Sequence, residues 1–446
     1  MPGETTTDLY EVSMALAYLR EGMTQPATFD LIVRDLPEGR GFLVMAGLEQ
    51  VVDHLTDYRL DSEDLRDFAS ALGRPPEDLE PLRGLTFTGE VRAVPEGRVV
   101  LGGGPVLEVT APLPVAQLVE SYVLNQISHQ TTLASKAARC VLAADGHPVV
   151  DFSLRRTHGT GAAHHAARAG AITGFAATSN VAAALELGLP AVGTMAHSYI
   201  EAIGAEDAAF RAFARAHPGP VTLLVDTYET RQGVHTAARV LRELDIAEGS
   251  AIRIDSGDLG DEARHARGIL DTYGLNTVRI VASGSLDEYA IDRLVRAGAP
   301  IDIYAVGTRV GTSADAPYLD SAYKLVEYDS RPVMKLSARK VTLPGRKQVH
   351  RLEGFHDVVA LADEPPPASS RPLLHTVIEA GTRTAPPPGL EDLRERCAAD
   401  LAALPEEARR IIGPVPLSCT TSPRLRELAD TVRRNIRDAY LPHASR

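Results

Sequence analysis

The middle of the chain alternates short apolar segments with longer segments rich in alanine and leucine. Seven short segments follow one another along the sequence: PVVDFS, AITGFA, PAVGTMA, VTLLVD, AIRIDSG, RIVASG and IDIYAVG. The segments between them, such as VHTAARVLRELD, have the periodicity of amphipathic helices. Strands that alternate with helices form a parallel sheet, because each helix returns the chain to the same edge. Seven β/α units predict an irregular, TIM-like (β/α) barrel of parallel strands, with an open doubly wound sheet as the alternative.

The segments on either side of this region lack the alternation. TFDLIVRDLP, LTFTGEVRAV and VLEVTAP are predicted strands of a mixed sheet, and a long helix is predicted from Val115 to about Ala143. We therefore expect a mixed α+β domain over residues 1–114 and a barrel domain over residues 115–330. The C-terminal segment, residues 331–446, is expected to pack with the N-terminal domain.

The composition restricts the class of protein. A formal charge of -13 argues against a general electrostatic attraction to nucleic acid. The sequence has no uninterrupted apolar run of membrane-spanning length and no secretory signal pattern. Its three cysteines are too few and too scattered for a disulfide framework or a four-ligand zinc site. We therefore expect a cytoplasmic protein that binds neither nucleic acid nor membranes.

Polar residues and glycines follow every predicted strand. In parallel barrels the carboxyl ends of the strands meet at one face, where binding and catalytic groups gather. In chain order these positions hold Phe152 with Arg155 and Arg156, Thr178 with Ser179, His197, Asp226, Asp255 with Asp258, Gly284 with Ser285, and Gly307 with Thr308. Together they predict a site for a phosphorylated sugar, an anion and an aromatic ring.

Three of these groups suggest particular ligands. The turns ASGSLDE and AVGTRVGTS follow the last two strands, where barrels commonly bind phosphate through backbone N–H groups. Asp255 and Asp258 flank a glycine turn, which suits a sugar diol or a magnesium ion. Each group also has a structural explanation, since Asp258 can cap the next helix and His197 can be a structural histidine. His158, His164 and His165 are typical of a helix surface, and no metal ligand set is assigned.

Several longer motifs occur in a fixed order: TDLYEVSMALAYLREG, DFSLRRTHG, VDTYETRQG, IRIDSGDLG and YAVGTRVGTSADAP. Through them the chain resembles the nicotinate phosphoribosyltransferases from about Thr7 to Arg351. The resemblance implies an enzyme that joins nicotinate to 5-phosphoribosyl 1-pyrophosphate and forms nicotinate mononucleotide for NAD salvage. It also implies that ATP and Mg²⁺ assist the reaction, and that the protein is a homodimer with composite active sites.

The resemblance further implies roles for individual residues at the nicotinate end of the site. Phe152 would stack on one face of the pyridine ring, and Arg155 would contact the nicotinate. The partner subunit's Tyr10 would cover the other face. Ser179 occupies the position where nicotinamide-using relatives carry an aspartate, so a serine there favours nicotinate.

The remaining roles concern the phosphoribosyl group and ATP. The residues implied to bind phosphoribosyl pyrophosphate are Arg156, Arg253, Asp255, Asp258, Gly284, Ser285, Gly307 and Thr308. His197, with Asp226 behind it, would be phosphorylated transiently by ATP. Asp226 and Asp255 would complete the catalytic group, and no metal ligand is implied with certainty.

Other functions would use a similar fold. A quinolinate-using enzyme should carry more cations for its dicarboxylate, and a nicotinamide-using relative should differ at Ser179. A barrel aldolase or isomerase needs a Schiff-base lysine or a paired acid and base, and the predicted strand ends carry no lysine. A non-catalytic sensor of pyridine nucleotides would keep the phosphate turns without needing His197 and Asp226.

Overall fold

The chain folds into two compact units. The structure, a computed structural model, describes residues 3–337 and 342–440. The first unit contains the residues up to Thr132, Tyr318–Arg410 and those from Pro414 onward. The second unit contains Leu133–Pro317 and Ile411–Gly413.

The helices and strands are numbered here in chain order. The helices are α1 (Leu9–Arg20), α2 (Leu48–Asp57), α3 (Ser62–Leu72), α4 (Leu113–Leu118), α5 (Glu120–Ala143), α6 (Thr160–Thr173), α7 (Val181–Leu187), α8 (His197–Ile203), α9 (Glu206–Ala216), α10 (Thr230–Glu243), α11 (Leu259–Thr272), α12 (Glu288–Arg296), α13 (Thr308–Gly311), α14 (Leu390–Ala403), α15 (Glu406–Arg409) and α16 (Pro423–Tyr440). The strands are β1 (Pro26–Val33), β2 (Leu43–Val44), β3 (Glu90–Ala93), β4 (Val99–Val100), β5 (Pro105–Pro112), β6 (Val149–Asp151), β7 (Ala177–Thr178), β8 (Thr222–Leu224), β9 (Ala251–Ile254), β10 (Arg279–Ala282), β11 (Ile303–Val306), β12 (Ser321–Tyr328), β13 (Arg331–Pro332), β14 (Lys347–Leu352), β15 (His356–Leu361), β16 (Arg371–Pro372), β17 (His375–Glu379), β18 (Thr382–Arg383) and β19 (Thr420–Thr421).

The first unit is rich in β-structure. Its largest sheet has the strand order β13-β12-β1-β5-β3-β17-β18, so strands from both ends of the chain share one sheet. On β1 the residues Phe29, Leu31 and Val33 are buried in the core, as the period of two in a strand predicts. A smaller sheet, β16-β14-β15-β19, comes entirely from the C-terminal segment.

The second unit is built around a parallel sheet of six strands in the order β7-β6-β11-β10-β9-β8. The sheet is curled into a half-barrel, which confirms the predicted irregular parallel β/α architecture. One face of the sheet packs against helices, and residues such as Leu223, Ile252 and Ile280 are fully buried there. In the described part of the chain β7 and β8 are the edge strands and do not pair, so the barrel is not closed.

Two of the seven predicted strands are wrong. AITGFA forms the buried end of α6, which stops where Gly174 adopts a left-handed conformation (φ 108°), and β7 begins only at Ala177. PAVGTMA contributes a single bridge, between Thr178 and Ala191. The end of α6 is apolar because it is buried, and burial alone does not distinguish a strand from a helix. In PAVGTMA only Met195 is buried, and the segment forms a loop beside the sheet edge.

Small side chains fill the concave face of the half-barrel. They form one buried layer, to which each of five strands contributes one residue: Val150, Ala177, Ala251, Val281 and Ala305. Side chains two positions apart on a strand point to the same face. Phe152 and Arg253 follow Val150 and Ala251 by two positions, so they lie on the same face, nearer the carboxyl edge of the sheet. No helix of the described residues is long and apolar enough to cross a membrane.

Candidate active site

Arg253 is the central cation of the carboxyl edge. It is 8% exposed, and its guanidinium carbon lies 5.7 Å from the centroid of the Phe152 ring. Nη1 donates to the Thr194 hydroxyl at 2.7 Å, and Nε donates to the Ser283 hydroxyl at 3.0 Å. Nη2 lies 3.3 Å from Asp255 Oδ1. These bonds hold the guanidinium over the aromatic ring, an arrangement that attracts the cation electrostatically.

Asp226 connects the ends of β8 and β9. Its Oδ2 accepts hydrogen bonds from the Asp255 backbone N–H at 3.0 Å and from the Ser256 hydroxyl at 2.5 Å. Its Oδ1 is buried and has no hydrogen-bond partner among the residues described. Asp226 therefore shapes the loop that carries Asp255 and keeps one oxygen available for a ligand.

His197 begins α8 beside this loop. Its Nδ1 lies 3.1 Å from the Thr227 hydroxyl, and its Nε2 lies 3.9 Å from Asp255 Oδ2. The expectation that Asp226 lies behind His197 is therefore not met. Asp226 is already engaged with the backbone of the β9 loop, and the next residue, Thr227, orients the imidazole ring instead.

Glu206, at the start of α9, adds a carboxyl group whose charge interacts with Asp226. Burial, followed by the charges of Glu229 and Asp226, raises the pKa of Glu206 to about 7. Its Oε1 is buried without a hydrogen-bond partner in the described part of the chain. The carboxyl group therefore takes up a proton near neutral pH, which limits the negative charge close to Asp226.

The turn after β10 places two successive residues in the left-handed region of the backbone. Gly284 and Ser285 have φ values of 94° and 54°, and both are exposed. A Cβ on Gly284 would lie 2.0 Å from the Asp255 carbonyl oxygen, so only glycine permits this approach. A left-handed serine is uncommon, and Ser285 shares this conformation with Ser313, Ser330 and Ser369 of the described residues. The backbone N–H groups of this turn are free of side-chain bulk and can meet a phosphate.

The turn after β11 lies close to Phe152. A Cβ on Gly307 would lie 3.2 Å from the Phe152 carbonyl oxygen, and Thr308 begins the short helix α13. Asp258, after β9, caps α11 by accepting from the backbone N–H groups of Gly260 and Asp261, each at 3.0 Å. Asp258 therefore caps the helix through Oδ1, which accepts both of these hydrogen bonds.

The two arginines of the motif DFSLRRTHG are exposed, and neither makes an ion pair with another described residue. Asp151 sits one residue before Phe152; its Oδ2 accepts from the Thr178 hydroxyl at 2.6 Å, and Asp151 is paired with Thr178 across β6 and β7. Ser179 is the residue after Thr178, and Phe152 is the residue after Asp151. Because Thr178 and Asp151 pair across β7 and β6, Ser179 and Phe152 both lie at the carboxyl edge of the sheet. The guanidinium groups of Arg155 and Arg156 lie on the loop that follows Phe152, and a guanidinium suits a carboxylate or a phosphate.

Tyr10 belongs to the first unit, whereas all the other predicted site residues belong to the second. It is the second residue of α1 and is 47% exposed. Burial, followed by the charge of Glu120, raises the Tyr10 pKa, so the phenol stays protonated. Of the three histidines in the 158–165 segment, His164 pairs with Glu186 at 3.1 Å, as expected for a helix surface.

Sequence reasoning missed four residues that hold the predicted ones in place: Asp151, Thr194, Thr227 and Ser283. Each lies within a recognised motif and next to or near a predicted residue. In the sequence, such a residue is marked only by a short polar side chain close to a predicted functional residue. The residue to which it hydrogen-bonds belongs to another strand or loop, so one segment alone does not reveal the contact. The hydroxyl of Ser283, for example, bonds both Arg253 and Asp255.

Comparison with solved structures gives the class of protein. The crystal structure of human nicotinic acid phosphoribosyltransferase matches with a TM-score of 0.84 and 30% sequence identity, over 96% of this chain and 99% of the human one. The half-barrel fold is therefore that of a phosphoribosyltransferase.

Sequence comparison narrows the class. The N-terminal, central and C-terminal family models of nicotinate phosphoribosyltransferase match residues 5–128, 148–310 and 362–429. A nicotinate phosphoribosyltransferase of Mycobacterium tuberculosis is 46% identical over 92% of this chain and 89% of its own length. One from Bacillus subtilis is 38% identical over 92% and 90%. The chain belongs to the nicotinate phosphoribosyltransferase family.

Proposed function

We propose that this chain condenses nicotinate with 5-phosphoribosyl 1-pyrophosphate to form nicotinate mononucleotide and pyrophosphate, a step of NAD salvage. Family membership supports the reaction. The observation that carries the assignment of the site is the Arg253 guanidinium, held 5.7 Å from the Phe152 ring by Thr194, Ser283 and Asp255. It joins an aromatic platform to a cation and a carboxylate on one edge of the sheet.

The chemistry requires positioning rather than a strong base. The pyridine nitrogen already has a lone pair; it bonds to C1 of the ribose while the bond from C1 to the pyrophosphate oxygen breaks. Positive charge develops on the ribose, and negative charge develops on the leaving group. Phe152 would fix the plane of the pyridine, and Arg155 would meet its carboxylate. Prealigned reactants can react as if at very high concentration, which is the main contribution such a site makes.

The phosphoribosyl end has matching groups. Asp255 Oδ1 is bonded to Arg253 and Ser283, which leaves Oδ2 to accept from ribose hydroxyls. The turns at Gly284–Ser285 and Gly307–Thr308 offer backbone N–H groups to the 5-phosphate. Arg156 would add positive charge near the pyrophosphate. Because Asp258 caps α11, we assign it to shaping this loop.

The carboxylates also fit a Mg²⁺ ion. Among the residues described, no three His, Cys, Asp or Glu side chains are grouped to hold a metal ion by themselves. Mg²⁺ is commonly held by one or two carboxylates together with substrate phosphates. Asp226, with a buried oxygen that has no hydrogen bond, and Asp255 would supply these carboxylates. The ion would neutralise charge on the pyrophosphate.

His197 is the proposed link to ATP. With its proton on Nδ1 facing Thr227, the lone pair of the ring lies on Nε2. Nε2 would attack the γ-phosphorus of ATP, the bond from this phosphorus to the bridging oxygen would break, and ADP would leave. Water would later remove the phosphoryl group from the histidine. The added negative charge would help to order the magnesium–pyrophosphate end of the site.

The proposal is tested by mass spectrometry of the products from nicotinate, phosphoribosyl pyrophosphate, ATP and Mg²⁺. Formation of nicotinate mononucleotide is expected, and its absence with folded protein would overturn the proposal. The variant His197→Ala is expected to stay folded and to keep a slow transfer reaction, but to lose ATP stimulation and an acid-labile phosphate label. A label that persists in this variant would move the phosphorylation to another residue.

The proposal includes two further points. The protein would act as a homodimer in which the partner subunit's Tyr10 covers the nicotinate. It would work in the cytoplasm, an expectation that fits the three free cysteines, Cys140, Cys397 and Cys419, because disulfides are rare in that reducing compartment.

A further inference from the structure

The two turns proposed to bind the 5-phosphate are joined by an ion pair. Arg309 Nη1, on α13, lies 2.6 Å from Oδ2 of Asp287, which ends the turn after β10. The other Asp287 oxygen accepts from the Ala290 backbone N–H at 2.8 Å and so caps α12. Asp287 is 7% exposed, whereas the Arg309 side chain is half exposed. One carboxylate therefore fixes the start of α12 and, at the same time, the neighbouring turn.

A second connection lies beneath the same turns. Lys136, on α5, places Nζ 2.5 Å from Glu288 Oε2 and 2.8 Å from Asp315 Oδ1. Arg139 Nε donates to Glu288 Oε1 at 3.1 Å. Glu288 is the first residue of α12, and Asp315 lies beyond the end of α13, so Lys136 links the start of α12 to the segment that follows α13. Burial opposes the Lys136 charge, but Glu288 and Asp315 raise its pKa above the ordinary value.

This cluster is costly to build. Lys136, Arg139 and Glu288 are almost completely buried, and removing ions from water requires excellent geometry to be offset. Apolar side chains of similar size could give the same stability with less demand on geometry. Ion pairs add a fixed spacing between the groups that they join. Here those groups belong to the segments after β10 and β11, whose turns are proposed to bind the 5-phosphate.

We propose that Asp287 and Arg309 are positioning residues, which set the spacing of the two turns so that their backbone N–H groups converge on the 5-phosphate of phosphoribosyl pyrophosphate. The inference rests on the proposed function and deepens it. Asp287 and Arg309 act through the turns and do not touch the phosphate. Separating the turns weakens the binding of the phosphorylated substrate and leaves the nicotinate end intact.

The test uses three variants: Asp287→Asn, Arg309→Gln and the double variant. Asparagine keeps an oxygen that can cap α12 and loses the charge that pairs with Arg309. Each single variant is expected to raise KM for phosphoribosyl pyrophosphate about five- to tenfold, with kcat and KM for nicotinate within about twofold of wild type. Because the two residues act as one unit, the double variant should raise KM for phosphoribosyl pyrophosphate no more than the more strongly affected single variant does. Because Asp287 is almost buried, a variant that leaves it unpaired is expected to melt at a lower temperature, but kcat should not fall with the melting temperature.

A matched control breaks another ion pair of α12. Arg296→Gln removes the bond from Arg296 Nε to Asp292 Oδ1, 2.9 Å long and at the far end of the helix, and should leave all constants unchanged. Unchanged KM for phosphoribosyl pyrophosphate in both single variants would overturn the inference. So would additive effects in the double variant, since Arg309 would then act on the phosphate directly. A parallel loss of stability and kcat would reduce the pair to a structural role. Failure of the proposed function is a separate outcome, because the wild type would then form no nicotinate mononucleotide.

Discussion

Ser179 is the residue on which the choice between nicotinate and its amide would depend. Its backbone N–H donates to the carbonyl oxygen of Asp151, the residue before Phe152, at 2.8 Å, and its hydroxyl can donate to a carboxylate. We expect Ser179→Asp to lower kcat/KM for nicotinate about 10- to 100-fold, because a carboxylate would face the substrate carboxylate and a mismatched polar contact costs roughly 1–3 kcal/mol. Steady-state kinetics with both substrates measure the effect. Ser179→Ala is the control that removes the hydroxyl without adding charge, and an equal loss in both variants would contradict the argument from charge.

At Gly284 the site has no room for even one additional carbon atom, the Cβ of a side chain. At φ 94°, with the Asp255 carbonyl oxygen 2.0 Å from any added Cβ, alanine would be strained and would push the β9 and β10 loops apart. Gly284→Ala is expected to destabilise the fold by about 2–4 kcal/mol and to abolish most activity. Gly268, within α11, has nothing within 4 Å of an added Cβ. Gly268→Ala should therefore stabilise the fold by about 0.5–1 kcal/mol. Urea unfolding measures both, and a similar effect of the two substitutions would contradict the steric argument.

At the scale of elements, α1 is tied to α5 by a buried acid. Glu11 is fully buried and accepts hydrogen bonds of 2.5 Å from the Thr7 and Ser121 hydroxyls. Burial raises the pKa of Glu11 to about 7, although these hydrogen bonds lower it. The native protein therefore binds more protons than the unfolded chain between about pH 4.5 and pH 7, so this group makes stability fall as the pH rises through that window.

Glu11→Gln removes this ionisation and keeps a side chain that can accept hydrogen bonds. Its melting temperature relative to wild type should rise between pH 5 and pH 8, because only the wild type loses the contribution of the protonated Glu11 over that range. Differential scanning fluorimetry at several pH values measures the difference. Glu21→Gln, at the exposed end of α1, is the control and should track the wild type. A constant difference for Glu11→Gln would show that Glu11 does not titrate in this window.

The elements also show how far sequence reasoning reaches. Five predicted strands of the half-barrel and the helices between them follow from alternation, because burial on one face gives each element its own period. AITGFA and PAVGTMA could not be assigned, since their apolar residues fit a buried helix end or a loop equally well. Likewise the motifs predicted His197 as a functional residue, but its partner Thr227 lies 30 positions away and depends on the curl of the sheet. Long-range pairing is a property of the fold and is absent from any one segment.

At the scale of the whole molecule, the predicted site residues are divided between the two units. Tyr10 lies in the first unit, and Phe152, Arg253 and Asp255 lie in the second. If a site combines Phe152 of one subunit with the partner subunit's Tyr10, the smallest active species is a dimer. Each dimer then has two composite sites, related by its two-fold symmetry.

Mixing two inactive variants tests this arrangement. In a heterodimer of Tyr10→Ala with Phe152→Ala, one site keeps its own Phe152 and receives an intact Tyr10, whereas the other site has both changes. Random exchange at equal amounts makes half of the dimers hybrid, so about one quarter of all sites should regain wild-type activity. A mixture of Phe152→Ala with Arg253→Met is the control: both residues belong to one subunit's part of the site, so every site stays damaged and no activity should return. Native mass spectrometry of tagged subunits establishes the exchange. Activity no higher than that of the separate variants after complete exchange would mean that Tyr10 serves its own subunit's site or none.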